Sequence, residues 1–204
     1  DGANYYLVQW NDLGSGGINL TPTATANQPL IGTRGGQQFL IMDNVDDHIQ
    51  DSSITKPGST FESIILFVDF VFSPGTAQGW INQTAGGGGK IAVTTANQIQ
   101  SFAQDDLGAF PLAFDPSVGE GLHMIAFVSD NDLYHKMYVD GVLSHTSTLQ
   151  ANASWVSSSD ATWQKVWGGI NASHVGEILH FNNALTAAQI ADIWVFYQNT
   201  YTGI

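Results

Sequence analysis

Three observations predict an all-β chain of two packed antiparallel sheets carrying one short C-terminal helix. Asp140-Gly141 joins two strand-like runs, with Tyr138 and Val139 on one side and Val142 and Leu143 on the other. An Asp-Gly pair in that setting signals a type I′ hairpin, whose two central residues both need positive φ. Other strand-like runs recur at short intervals with turn residues between them and almost no helical periodicity. Only near the C-terminus do apolar residues fall at helical spacing, at Ile190, Ile193, Trp194 and Tyr197.

Taken in order, Tyr5 to Trp10 reads as a first strand, followed by a long loop through Gly14 to Gly17 and the Thr/Ala/Asn/Pro-rich stretch Thr21 to Pro29. Gln37 to Met42 is the next strand, and the Asp-rich turn after it leads to a short strand around His48 to Gln50. Phe61 to Phe72 is the most hydrophobic candidate: Ile64, Leu66, Val68, Phe70 and Phe72 share one face, Phe61, Ile65, Phe67, Asp69 and Val71 the other. Both faces are therefore expected to be largely covered. Gly79 to Asn82 follows, then a Gly86 to Gly89 run, then Lys90 to Thr95 paired with Ile99 to Ala103. Leu122 to Ser129 is a buried strand entering the Asp140-Gly141 hairpin, and Trp163 to Trp167 and Val175 to Phe181 complete the set. Thr186 and Gln189 have the spacing of a capping box, and Leu185 and Ile190 that of a hydrophobic staple. A helix is expected from about Ala187 to Tyr197.

The 204 residues suit one domain, 1–204, with one sizeable core. Hydrophobic residues make up 43%, enough to bury a core, whereas charged residues make up only 11%, against roughly 25% in ordinary soluble domains. The surface must then be built from Ser, Thr, Asn, Gln and Gly, which suits an extracellular, cell-surface or virion-associated protein. The net charge is −13, and the fixed cations are Arg34, Lys56, Lys90, Lys136 and Lys165. Nucleic acid is a poor partner for such a chain, since phosphate neutralisation needs a basic patch. The absence of cysteine excludes disulfides and thiolate metal sites. No run approaches the roughly 20 apolar residues of a membrane span, so no membrane insertion is expected. The start, DGANYYLVQW, has neither an initiator Met nor a signal-peptide pattern, so a processed or excised soluble piece is expected.

Three separated segments resemble one family. FLIMDNVDDHIQ resembles an early strand and acidic turn of concanavalin A-like, laminin G-like jelly-roll domains. LHMIAFVSDNDLYHKMYVDGVLSHTS is similar to their central strand pair ending in Asp/Asn-Gly. VGEILHFNNALTAAQIADIW is similar to their closing strand and helix. Order and rough separation agree from about Phe39 to Trp194. The departures are Asn44 in place of the usual Gly, Gly121-Leu122 before His123 in place of Trp, and Gln189 in place of the acidic residue of the helix cap. The resemblance implies a concanavalin A-like jelly-roll sandwich and leaves the ligand open.

Glycosidases on this scaffold place two carboxylates across the sugar, one as acid and one as nucleophile or base. The three glutamates, Glu62, Glu120 and Glu177, have no acidic neighbour at the required spacing, so a glycoside hydrolase is disfavoured. A polysaccharide lyase, for which Arg34 supplies little, is disfavoured too. The Gly86 to Lys90 run departs from a P-loop at Thr84 and Ile91, and no G-x-S-x-G elbow exists. The chain is expected not to be an enzyme.

Ca²⁺ is the more plausible chemistry, because it takes six to eight oxygens without strict geometry. Asp43, Asp46 and Asp47 form one candidate turn, and Asp130, Asn131 and Asp132 another. The competing reading is that these residues only cap turns through backbone hydrogen bonds. The histidines at 48, 123, 135, 145, 174 and 180 show no metal-ligand spacing. Asp69 interrupts an apolar strand and must be paired if buried; it faces either a concave binding surface or solvent. Sugar sites combine aromatic rings with amide and carboxylate side chains. Trp80, Trp155, Trp163 and Trp167 sit in or beside polar segments and are the candidate stacking residues, each with a core or sheet-edge position as the alternative. Trp155, in ANASWVSSSD, has the most polar surroundings. The N-x-S/T triplets at Asn19, Asn82, Asn152 and Asn171 are what so Asn/Ser/Thr-rich a chain generates by chance, and glycosylation is not expected.

The expected function is a non-enzymatic, lectin-like recognition module for polysaccharide or glycan, with structural calcium as an option that the turn-capping reading of the Asp clusters opposes. The alternative is a structural or adhesive domain of a larger assembly, such as a phage tail, fibre or capsid-decoration protein, whose partners are other subunits.

Overall fold

A computed structural model of the chain describes residues 5–7, 9, 11, 13, 21–22, 24–34, 36–41, 48–49, 62–70, 78–83, 90–93, 99–105, 108–115, 118–130, 134–148, 163–167, 174–181 and 183–201. Seven strands form one antiparallel sheet: β1 (Leu30–Arg34), β2 (Gln37–Ile41), β4 (Glu62–Phe70), β9 (Gly121–Asp130), β10 (Tyr134–Val139), β11 (Val142–Thr148) and β13 (His174–Phe181). Their spatial order is β1-β2-β13-β4-β9-β10-β11. Six more form a second antiparallel sheet: β3 (His48–Ile49), β5 (Gln78–Gln83), β6 (Lys90–Val93), β7 (Ile99–Asp105), β8 (Gly108–Asp115) and β12 (Trp163–Trp167), ordered β3-β12-β5-β6-β7-β8. For β5, β6, β8 and β12 the description is of the backbone and its register. One helix, α1 (Ala187–Thr200), follows β13.

The predicted hairpin is present. Asp140 and Gly141 have φ of 51° and 79°, as the type I′ turn demands, and Val139 pairs Val142 across it. The β4 stretch is buried from Ser63 through Phe70 on both faces, as its sequence implied. Register gives those faces their partners. Phe67, Ile65 and Ser63 lie opposite Met124, Ala126 and Val128 of β9, whereas Ile64, Leu66 and Val68 lie opposite Phe127, Ile125 and His123. The first set belongs to the core under α1.

The helix seats on that face through its sequence-encoded stripe. Ile190 and Tyr197 are buried, and Ile193 and Trp194 pack against the same cluster as Phe67, Met124 and Tyr138. Each such side chain contributes roughly 1.5–3 kcal/mol by leaving water. Thr186 caps the helix through a reciprocal box: its side chain accepts from the Gln189 N–H at 3.3 Å, and its own N–H donates to Gln189 Oε1 at 2.9 Å. Buried Ser63 ties the entry loop to β4 by donating to the Asn183 carbonyl at 2.9 Å and accepting from the Leu185 N–H at 2.8 Å.

Four sequence expectations are corrected. Among the described residues, Tyr5 to Trp10 is not a strand: Tyr6 makes an isolated bridge to Leu30, flanked by backbone bonds from Leu7 to Pro29 and from Ile31 to Tyr5. The loop before β1 contains a 3-10 turn at Thr25–Asn27, and β1, which holds Gly32, is a strand beyond those expected. Gly32 is instead a contact: a Cβ there would stand 2.3 Å from Ile41 Cδ1. The strand β8 is likewise beyond those expected, and its Pro111 cannot donate to a ladder. It sits on the edge strand, opposite Phe102 and next to a register irregularity, where the missing donor is tolerated. Finally, α1 runs nearly a turn beyond Tyr197, and Tyr201, four positions on, extends the buried stripe.

Candidate binding site

Three carboxylates of the seven-stranded sheet and its hairpin are bonded within the fold. Asp69 does not meet solvent; it is fully buried on β4, and its carboxylate lies 3.1 Å from His174 Nδ1, directly across on β13. His174 thereby pairs Oδ2, one of the two oxygens of this buried carboxylate. Asp140 does more than shape its turn. Its Oδ1 accepts from the Met124 N–H at 3.0 Å, and its Oδ2 lies 2.8 Å from His123 Nδ1, which pins the hairpin to β9. Beside it Gly141 leaves room for the helix, since a Cβ there would come within 3.0 Å of Trp194.

Glu177 is the third committed carboxylate. Its strand carries an irregularity between Val175 and Glu177, where Gly176 is the extra residue opposite β4 and admits the Phe39 ring, 2.9 Å from a would-be Cβ. Glu177 then lies opposite Phe67, under the C-terminal turns of α1. Tyr197 donates its hydroxyl to Oε2, and Tyr201 donates to Oε1 at 3.1 Å. Both rings lie against Phe67, with centroids 3.9 and 5.0 Å away. Burial, followed by the hydrogen bond to Glu177 and its charge, pushes the Tyr197 phenol far above its usual range; burial and then the Glu177 charge do the same for Tyr201. Nothing local in the sequence marked Glu177 or Asp140 for these roles.

The six-stranded sheet is composed differently, and the candidate tryptophans gather there. Trp80 lies on β5, and Trp163 and Trp167 lie on β12, the strand next to it. Val166 pairs Ile81 and also Ile49 of β3, which is fully buried. The adjoining row belongs to the opposite face, because successive residues of a strand alternate sides. That row is Lys165 paired with Asn82, and Asn82 paired with Lys90 of β6. Trp167, two positions from Lys165 and paired with His48, shares its face by the same alternation. Trp80 is the extra residue where β5 shifts register between Gly79 and Ile81 against β6. Gln78, Asn82, Gln83 and Gln164 supply amides on these two strands.

Trp155, Asp43, Asp46, Asp47, Asn131 and Asp132 lie outside the described residues, and Asp130 is the last residue of β9. Among the described residues no group of three or more His, Cys, Asp or Glu could hold a metal ion. No described helix is long and apolar enough to cross a membrane.

No known family profile matches the chain, and no curated protein does. Among solved structures the chain is similar to the binding domain of Paraclostridial Mosquitocidal Protein 1, at 13% identity and a TM-score of 0.69, covering 93% of this chain and 50% of that one. It is also similar to the ligand-binding domain of botulinum neurotoxin serotype D in complex with N-acetylneuraminic acid, at 11% identity, a TM-score of 0.60, and coverage of 94% and 50%. A third is the binding domain of botulinum neurotoxin DC in complex with rat synaptotagmin II, at 9% identity, a TM-score of 0.64, and coverage of 97% and 52%. The chain thus spans about half the length of these structures, and identities this low carry the fold alone.

The resemblance to concanavalin A-like, laminin G-like domains is corrected by this result, since the solved structures that the chain matches are binding domains of clostridial toxins. The reason is physical. An Asp-Gly hairpin, an Asp-rich turn and a capped helix after a strand recur wherever antiparallel strands meet tight turns and a covering helix. Their ordered set reports elements rather than a family.

Proposed function

We propose that this chain is a non-enzymatic carbohydrate-recognition module, that its two sheets stack face to face as a sandwich, and that the β12–β5 strand pair is its glycan-contacting surface. The observation that carries the reading is the register of these two strands, which brings Trp80, Trp163 and Trp167 onto neighbouring strands with Asn82, Gln78, Gln83 and Gln164, Trp167 in the alternation of Asn82 and Trp163 in that of Gln83. Aromatic rings stack on the apolar faces of sugars and amides bond their hydroxyls, so the combination suits a glycan better than an apolar ligand. The committed roles of Asp69, Asp140 and Glu177 support a binding rather than a catalytic role, since each already has an internal partner. The toxin domains with this fold are themselves binding domains, one of them described with N-acetylneuraminic acid. Calcium at Asp43, Asp46 and Asp47, or at Asp130, Asn131 and Asp132, is part of the proposal as a support for the loops.

A glycan array of the folded protein, run with Ca²⁺ and again with a chelator, tests the module. Saturable binding that is weakened by Trp80→Ala, Trp163→Ala or Trp167→Ala is the expected result. Weakening by Trp155→Ala would extend the surface to that loop, and loss on chelation would bring in the Asp turns. A blank array from folded protein in both conditions would overturn the reading. The second reading, a structural or adhesive module of a larger assembly, is favoured by exposed apolar residues at Val142 and Leu143 on β11 and at Val195 and Phe196 on α1. A stable protein partner whose binding is lost in Phe196→Ser would support it.

A further inference from the structure

The turn that joins β10 to β11 is also a chemically labile point of the main chain. Asp140 precedes Gly141, so no Cβ shields the Gly141 amide nitrogen from the aspartate side chain. That nitrogen can bond to Asp140 Cγ and close a succinimide ring, its proton and the hydroxyl of the protonated carboxyl leaving as water. Water then adds to the Asp140 main-chain carbonyl and breaks its bond to the Gly141 nitrogen, so that the chain runs through Cγ as an isoaspartyl linkage. Water is the only co-reactant, and the Asp140 side chain, 31% exposed, is open to it.

The folded turn opposes the first step. Asp140 Oδ1 accepts from the Met124 N–H at 3.0 Å, and Oδ2 lies 2.8 Å from His123 Nδ1, so turning the carboxyl elsewhere breaks bonds on both oxygens. A carboxylate that accepts such charge-assisted bonds is also a poorer electrophile than the free acid. The main chain is fixed as well: the Asp140 N–H donates to the Met124 carbonyl at 2.9 Å, and a Cβ on Gly141 would stand 3.0 Å from Trp194 Cβ. Asp140 holds a φ of 51°, a region that Asn and Gly enter as readily. Turn geometry alone therefore does not call for a carboxylate here; the two bonds to β9 do.

We propose that Asp140-Gly141 is a latent isomerisation site that His123 and the Met124 N–H keep closed. The role concerns covalent integrity and is independent of any ligand the protein binds. Isomerisation would add a methylene to the main chain of the hairpin, draw the carboxylate away from β9 and disturb the glycine on which Trp194 rests.

The test ages the intact chain at neutral pH, folded in buffer and unfolded in guanidinium chloride, and quantifies isoaspartate at Asp140 by electron-transfer fragmentation of its peptides. Asp1-Gly2, the other Asp-Gly pair in the sequence, is read separately in the same digests. Isomerisation at Asp140 is expected to be at least about tenfold slower in the folded chain, as hydrogen bonds to a charged group imply. His123→Ala and His123→Phe, the latter keeping a ring against Phe70, should each raise the folded rate several-fold when aged well below their unfolding midpoints. His123→Asn, whose amide can replace Nδ1 as a donor, should stay near the wild-type rate. The isoaspartyl product, separated chromatographically, should unfold at a lower temperature than the unaged chain. Equal rates in folded and unfolded wild type would overturn the proposal. So would a wild-type rate in His123→Ala or His123→Phe, and whichever of the two folds is sufficient to decide.

Discussion

The two sheets carry different residues on neighbouring strands. In the seven-stranded sheet every carboxylate described at its core or its hairpin is bonded inward: Asp69 to His174, Asp140 to His123 and the Met124 N–H, and Glu177 to Tyr197 and Tyr201. In the six-stranded sheet, tryptophans, amides and two lysines share neighbouring strands, with the row of buried Ile49 on one face and the row of Lys165 on the other. A polar group buried in an apolar setting must find a partner within the fold. The contrast separates a framework from a candidate surface.

The sharpest way to break that contrast is to remove the ring on which the framework centres. Phe67 is buried between β4 and α1 and contacts Trp194, Tyr197 and Tyr201. Phe67→Ala is expected to cost about 3–5 kcal/mol in urea unfolding, because the cavity it leaves cannot collapse fully. A loss under about 1 kcal/mol would show that α1 is not seated as described. Asp69→Ala should cost less, about 2 kcal/mol, because His174 is partly exposed and water can replace part of the lost bond. Removing the helix cap by Thr186→Ala should cost about 1 kcal/mol.

The tyrosines give the framework a pH signature. Their folded-state pKa values lie above the unfolded value of about 10, so their contribution to stability is complete below pH 10. It is lost as the pH rises further, because the unfolded chain sheds phenol protons that the folded chain keeps. Urea midpoints measured between pH 9 and 11.5 should fall, and Tyr197→Phe should make that fall shallower. An unchanged slope would mean that Tyr197 titrates normally in the fold. The smallest expected effect belongs to an exposed position of the hairpin: Val142→Thr should shift stability in urea unfolding by no more than about 0.5 kcal/mol, as surface changes do.

Much of the framework was legible in advance. The Asp140-Gly141 turn, the doubly covered β4 and the capped α1 each depend on contacts or dihedral requirements within a few residues of chain, and these are written locally. The failures share a cause. Gly32 and Pro111 are residue types that break strands in isolation, and each is tolerated where tertiary structure supplies the reason: the close approach of Ile41 in one case and an edge position in the other. The three signature segments misled about family because they encode turns and caps rather than ancestry. Asp69 could be read as needing a partner, but no local pattern pointed to His174, 105 positions away.

The sequence by itself determined that the chain is built from antiparallel strands followed by one C-terminal helix, because turn chemistry, strand alternation and a capping box are each written within a few residues. Tertiary structure alone decided which residues meet. It set Glu177 beneath Tyr197 and Tyr201, placed Trp80 beside the strand of Trp163 and Trp167, and aligned Lys165, Asn82 and Lys90. Local dihedral preference and hydrophobic period act over a few residues, whereas strand order and register emerge only when distant segments compete to bury their apolar faces together.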